Sequence, residues 1–244
     1  MANGTSNSRQ HWDDVYAQRS ATIPPIDDAV GAAALAHFGD LRGKRMLDMG
    51  CGSSEYSLYF AQRGAQVTAI DLSEVGIVAL GEECARLGLT TVKPLVGDAF
   101  GIAELGPFDV VFGAMILHHL EPFTDFVDVL AAATTADARC FFYENSAMSR
   151  TLMWCREHLT GRYGIPKYGD DDEFPLKPQE IDMLRRSFDV ELYYPELFLT
   201  RMASSYLLRG HGDKTLSWVD SKLYRYPRMR RLSYKQCVLL ERTH

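Results

Sequence analysis

From Lys44 onward, short apolar runs alternate with stretches whose apolar positions recur every three or four residues. Strands are expected at 45–49, 65–70, 91–96, 108–113 and 139–144, and helices at 56–63, 74–87 and 123–134. Gly88 closes the second of these helices. Most of the strands are continuous apolar runs, which is the pattern of strands buried on both faces. A βα rhythm with loops of a few residues implies a parallel sheet with helices on both sides. The strand at 91–96 contains Pro94, which removes a ladder donor and sends it to a sheet edge.

The flanks behave differently. Two helices are expected ahead of the repeat: 11–18, with Trp12, Val15 and Tyr16 at helical spacing, and 29–38, opening at Asp27 and Asp28 and ending at Gly39. The first eight or so residues, rich in Ser and Asn, are expected to be disordered. After Glu144 the rhythm breaks. A helix at 178–188, a strand at 190–194 and a last strand at 234–241 are separated by insertions at about 146–177 and 196–232. The division this implies is an N-terminal helical cap over 1–43 and an α/β core over 44–244, with both insertions on its rim, where specificity usually sits.

Composition narrows the class of protein. With 244 residues, 46% hydrophobic and 24% charged, the chain is long and apolar enough for one large domain with a substantial core, which excludes a disordered or collagen-like chain. No apolar run approaches the roughly 20 residues that span a bilayer. The longest, 108–120, is interrupted by Asp109, His118 and His119. Residues 1–10 are polar and lack a signal-peptide core, so a cytoplasmic address is expected, with no membrane partner. Five cysteines without a CxxC pair argue against a disulfide framework and a structural zinc site. The net charge of −6 argues against general attraction to nucleic acid. Residues 201–244 nevertheless hold ten Lys/Arg against three acids. That basic stretch fits either an anionic acceptor or RNA, or simply a solvated face beside an acidic body.

The strongest chemical signal is Leu47-Asp48-Met49-Gly50-Cys51-Gly52, a glycine-rich turn that follows a strand and precedes a helix. Gly50 and Gly52 allow a tight turn and the close approach of a ligand. Asp71, nineteen residues beyond Gly52, ends the next strand, where a carboxylate can accept both hydroxyls of a ribose. Asp48 decides among adenosine-containing ligands. A carboxylate just before the turn repels a pyrophosphate and suits a ligand that is cationic there, and Glu55 occupies the third glycine position of the dinucleotide fingerprint. A Rossmann dehydrogenase is therefore a distant reading.

With these residues in place, the stretch from Lys44 to Glu144 resembles the class I S-adenosylmethionine-dependent methyltransferases, particularly the small-molecule group similar to the ubiquinone/menaquinone-type enzymes. The turn at Asp48-Met49-Gly50-Cys51-Gly52 looks like the family's first motif, with Ser54 in place of a commonly found third glycine. Asp71 looks like the ribose acid, and Val96-Gly97-Asp98-Ala99-Phe100 like the motif whose Asp accepts from the adenine amino group. Phe108-Asp109-Val110-Val111 with Leu117-His118-His119-Leu120 looks like the fourth strand and its loop; Asp109, early in the strand, is expected to be structural. The resemblance implies a Rossmann-like, doubly wound sheet of seven strands, mostly parallel with an antiparallel last strand. It also implies a site for S-adenosylmethionine (leaving as S-adenosylhomocysteine) drawn from Tyr16, Asp48, Gly50, Cys51, Gly52, Asp71, Leu72, Asp98, Ala99, Phe100 and Ala114. Tyr16 enters this set because in related enzymes an N-terminal helix folds over the cofactor.

Methyl transfer from a sulfonium is an in-line displacement, so the protein must align nucleophile, methyl and sulfur. An alcohol, phenol or ammonium acceptor also needs a proton removed. His118 and His119 follow the fourth strand; side chains of adjacent residues are expected to diverge, and His119 is the one assigned as general base. Glu144, at the end of the fifth strand, is the second catalytic candidate, as base or as a carboxylate that positions the acceptor. No metal is expected, since the acidic run at 170–173 lacks the alternating spacing of a calcium loop. The expected acceptor is a small molecule, such as a natural-product or sugar-containing intermediate, handled by a monomer or homodimer. RNA or protein as acceptor, or a noncatalytic cofactor-binding partner subunit, are the alternatives. The (Asn/Asp)-Pro-Pro-(Tyr/Phe) tetrapeptide of many nucleic-acid amino-group methylators is absent at Gly113-Ala114-Met115-Ile116.

Overall fold

The computed structural model describes residues 2–17, 28–53, 55–159, 174–197, 199–200, 204 and 212–243. One sheet contains β1 (Arg45–Met49), β2 (Gln66–Asp71), β3 (Val92–Val96), β4 (Phe108–Ala114), β5 (Thr134–Asn145), β6 (Phe188–Tyr193) and β7 (Lys235–Arg242). The seven strands lie in the order β3-β2-β1-β4-β5-β7-β6. Strands β1 to β5 pair in parallel, and β7 runs antiparallel between β5 and β6. This is the Rossmann-like sheet expected from the sequence, with Pro94 on the edge strand and the late hairpin in place. Strand order reverses between β1 and β4, which makes their carboxyl ends the crevice where α/β sheets take ligands.

Both faces of the sheet are covered, because successive strand residues point to opposite sides. Leu47, Met49 and Phe142 pack with helix α5 (Phe123–Ala132) and helix α7 (Pro178–Leu184). Met46, Phe112 and Phe141 pack against α2 (Ala29–Phe38), α3 (Glu55–Ala61) and α4 (Glu74–Leu87) on the other face. Side chains just ahead of two of these helices cap them. Asp28 accepts from the Gly31 N–H at 2.6 Å to open α2, and Ser73 accepts from the Gly76 N–H at 3.1 Å to open α4. Each such cap contributes about 1 kcal/mol. Gly88 ends α4 with φ of 67°, a conformation that favours a residue without a β-carbon.

Two expectations change, and the insertions gain elements. The first helix, α1, spans Ala2–Tyr16, so the Ser- and Asn-rich start is helical and not disordered. Ser and Asn fall short of Ala as helix formers by only a few tenths of a kcal/mol each, too little to stop a helix that continues into Trp12 and Tyr16. β5 begins at Thr134, directly after α5, and a register shift between Phe108 and Val110 accommodates its irregular start. The insertions contain helices: α6 (Arg150–Leu159), α8 (Asp213–Leu223) and the short α9 (Pro227–Arg230). Tyr163, Tyr168 and the acidic run 170–173 lie outside the described residues, as does Ser54.

Candidate active site

The turn after β1 is built around two left-handed glycines, Gly50 at φ 67° and Gly52 at φ 56°. A β-carbon on Gly50 would stand 2.8 Å from the Ile116 side chain, so that position is closed to larger residues by packing as well as by backbone. The Cys51 N–H donates to the Ile70 carbonyl at 3.0 Å and the Gly52 N–H donates to the Asp71 carboxylate at 2.7 Å, which ties the turn to the end of β2. The second Asp71 oxygen accepts from the Ser73 N–H at 2.8 Å. Burial raises the Asp71 pKa, opposed by these backbone hydrogen bonds. Asp48 is 2% exposed and accepts from the Ser57 hydroxyl of α3 at 2.5 Å. The Cys51 thiol, between the two acids, is held well above its ordinary value by burial and then by the charges of Asp48 and Asp71.

The roof over this turn comes from α1. Asp13 accepts from the Ser73 hydroxyl at 2.5 Å and from the Val75 N–H at 3.2 Å, so it joins the cap of α4. One turn on, the Tyr16 ring lies against Gly52: a β-carbon there would stand 2.5 Å from the ring. Trp12 stacks on Tyr16 with centroids 5.8 Å apart and meets His119 edge-on at 5.7 Å. Tyr16, expected at the site from the resemblance, lies against the turn. Asp13 was not expected there; its only signal is an acid one helical turn ahead of Tyr16.

Along the crevice, the Gly97 N–H donates to the Asp71 carbonyl at 2.9 Å and brings the end of β3 beside the end of β2. Asp98 is exposed and caps the 3-10 turn Ala99–Glu104, accepting from the Phe100 N–H at 2.9 Å. Ala99 is buried, and Phe100 is half-buried with its ring at 6.3 Å from that of Phe126. Leu72 is half-buried between Asp71 and Ser73. Asp109 sits at the opposite edge and accepts from the Arg45 N–H at 2.8 Å, the structural part expected of it.

The loop after β4 forms the other wall. Ala114 ends the strand in register with Tyr143, and Met115 follows with φ of 57°, its N–H donating to the Tyr143 carbonyl at 2.8 Å. Positive φ at a residue with a β-carbon is sterically unfavourable and persists where surrounding contacts over-determine it. Glu144 supplies those contacts. One oxygen accepts from the Ile116 and Leu117 N–H groups at 2.8 and 2.7 Å, and the other lies 2.7 Å from His118 Nδ1. The Glu144 side chain is fully buried and that of His118 is 1% exposed. His119 is exposed. The two imidazoles do not diverge as expected: their centroids are 4.1 Å apart with a 40° tilt, because Glu144 pulls His118 in beneath its neighbour.

The arrangement therefore gathers a glycine-rich turn, two buried acids at its base, an aromatic roof and an exposed imidazole along one edge of the sheet. Asp48, Gly50, Gly52, Asp71, Tyr16 and His119 come together there, with Asp98 and Phe100 farther along. An acid behind the turn fits a ligand that is cationic at that end and disfavours a diphosphate. Among the described residues, no group of three or more His, Cys, Asp and Glu side chains is arranged to hold a metal, and no helix is long and apolar enough to cross a membrane.

Residues 46–136 match the family model described as "Methyltransferase domain". The chain is 27% identical over 205 residues to the ubiquinone biosynthesis O-methyltransferase of Burkholderia multivorans, covering 79% of this chain and 86% of that protein. It is 29% identical over 181 residues to a probable chloroplastic tocopherol O-methyltransferase of Oryza sativa, covering 73% of this chain and 44% of that protein. Among solved structures, magnesium protoporphyrin IX methyltransferase from Synechocystis with bound S-adenosylhomocysteine superposes with a TM-score of 0.59 at 17% identity, covering 98% of this chain and 96% of that one. Fold, turn and domain match together support a class I S-adenosylmethionine-dependent methyltransferase. The cofactor this supports is S-adenosylmethionine.

Proposed function

We propose that the chain transfers a methyl group from S-adenosylmethionine to an oxygen or nitrogen nucleophile of a small molecule, with His119 as general base. The observation that carries this reading is the placement of Asp48, Gly50, Gly52 and Asp71 on the same sheet edge as an exposed imidazole. When bound, the cofactor supplies an electrophilic methyl group on a sulfonium.

Asp48 favours the cationic end of that ligand, and Asp71 offers its remaining lone pairs to a ribose. Cys51, Leu72, Asp98, Ala99 and Phe100 line the nucleoside end, while Tyr16 and Ala114 border the reacting end. Tyr16 and Trp12 cover the site and exclude water. His119 takes the proton of the acceptor as its oxygen or nitrogen attacks, the general-base role open to an imidazole nitrogen. Oxygen is the favoured nucleophile, because the two curated relatives above are named O-methyltransferases.

In this reading residues 1–43 form a cap and the insertions at about 146–177 and 196–232 cover the acceptor. The acceptor is a small molecule and not nucleic acid, consistent with the net charge of −6. The chain works in the cytoplasm as a monomer or homodimer. Calorimetric titration tests the cofactor half: S-adenosylmethionine binds and NAD does not. Formation of S-adenosylhomocysteine with a panel of phenols and catechols tests the acceptor half. Absence of cofactor binding, or tighter binding of NAD, overturns the assignment.

A further inference from the structure

We propose that Glu144 is a positioning residue of the transfer step: it fixes the loop after β4 and, by orienting His118, sets where His119 stands. The proposal rests on the reading of His119 as base and deepens it.

Glu144 ends its role as a candidate base through its own contacts. Its Oε1 accepts two backbone N–H groups, from Ile116 and Leu117, and its Oε2 faces His118 Nδ1, all within 2.8 Å. A carboxylate oxygen accepts, so the contact is made with the proton of His118 on Nδ1. The backbone contacts alone would hold the loop. The third contact has a different consequence: it fixes the ring plane and tautomer of a side chain that is 1% exposed.

That ring is a wall for the next one. His118 lies 4.1 Å from His119, and Trp12 meets His119 edge-on at 5.7 Å. His119 is thus placed between a ring held by β5 and a ring held by α1. The carboxylate also stands directly after Tyr143, whose carbonyl accepts the N–H of left-handed Met115. Consecutive residues of β5 therefore hold consecutive residues of the β4 loop, and a change at Glu144 reaches the base without touching the acceptor.

Glu144→Gln is the test, because it keeps the shape and one accepting oxygen for the two N–H groups. Its amide presents a donor to His118 Nδ1, which forces the imidazole proton onto Nε2. Nitrogen-15 spectra of the imidazoles, recorded with and without S-adenosylhomocysteine, should show the His118 tautomer switch and displaced His119 signals. With a catechol acceptor, kcat should fall by about 100-fold, the scale of a misplaced general base, while KM and S-adenosylhomocysteine affinity stay within about threefold. His118→Asn retains a donor to Glu144 and guards against misfolding as the explanation; it should show the same kcat loss. His119 signals unchanged in Glu144→Gln, or a wild-type rate in either variant, overturns the proposal. A wild-type protein that binds no S-adenosylhomocysteine defeats the proposed function instead, and the spectra without ligand still decide the positioning role.

Discussion

The ring of Tyr16 lies where a β-carbon on Gly52 would stand, with only 2.5 Å between them. Two constraints meet at that glycine. Its φ of 56° is unfavourable for any residue with a β-carbon, and the roof helix closes onto it from above. Gly52→Ala should therefore lose about 1–2 kcal/mol of stability from backbone strain and push α1 away from the turn. Affinity for S-adenosylhomocysteine should drop at least about tenfold in calorimetric titration. Adding Tyr16→Ala should recover part of the affinity and none of the backbone strain, which separates the two effects in a denaturation curve.

Asp13 holds α1 down by joining the cap of α4 through Ser73 and Val75. Asp13→Ala removes both contacts and should lower stability by about 1 kcal/mol, the size of a lost cap. Release of S-adenosylhomocysteine, followed by stopped-flow fluorescence of the roof residue Trp12, should become several-fold faster. Asp14→Ala is the control. Asp14 is exposed and accepts from Gln10 at 3.2 Å, so its loss should leave the release rate unchanged.

The contrast between Tyr16 and Asp13 shows what a sequence discloses. Strand positions of the βα core were legible because burial on both faces writes continuous apolar runs, and the edge strand because Pro94 cannot donate. The turn was legible because glycines, Asp48 and Asp71 sit at fixed distances along a local pattern. Asp13 on Ser73 and Glu144 on the loop at 116–118 join segments 60 and 26 residues apart, and no local pattern records such a contact. His118 and His119 misled for the same reason. Local geometry sends neighbouring side chains apart, and a distant carboxylate brings these two rings together.

Asp48 offers a direct test of cofactor choice. It is buried beside the turn and keeps a hydrogen bond from Ser57, so Asp48→Asn can preserve the packing while deleting the charge. S-adenosylmethionine carries one more positive charge than S-adenosylhomocysteine. At a separation of several ångströms, one charge at an effective dielectric near 20 amounts to about 2 kcal/mol. The substitution should weaken S-adenosylmethionine by about 30-fold more than S-adenosylhomocysteine in parallel titrations. Equal losses for the two ligands would mean that Asp48 acts only through its hydrogen bond.

His37 gives the fold a pH dependence that is independent of the site. It lies at the end of α2, with Nε2 3.2 Å from the Leu240 carbonyl, while its own carbonyl accepts from Arg139 at 2.8 Å. Burial is the largest influence on its titration and lowers its pKa from 6.5; nearby Arg139 lowers it further, against the raising effects of the Leu240 hydrogen bond and Glu241. The folded protein therefore binds a proton on His37 less readily than the unfolded chain does. Between the folded pKa and 6.5 the unfolded state carries the extra proton, so stability rises with pH through that window. The contribution of neutral His37 is complete above 6.5 and is lost as the pH falls towards the folded value. His37→Gln keeps a donor for the Leu240 carbonyl and cannot titrate. Its melting temperature should fall less than that of the wild type when the pH is lowered from 7.5 to 5 in about half-unit steps. Parallel curves for the two proteins would show that His37 titrates alike in both states.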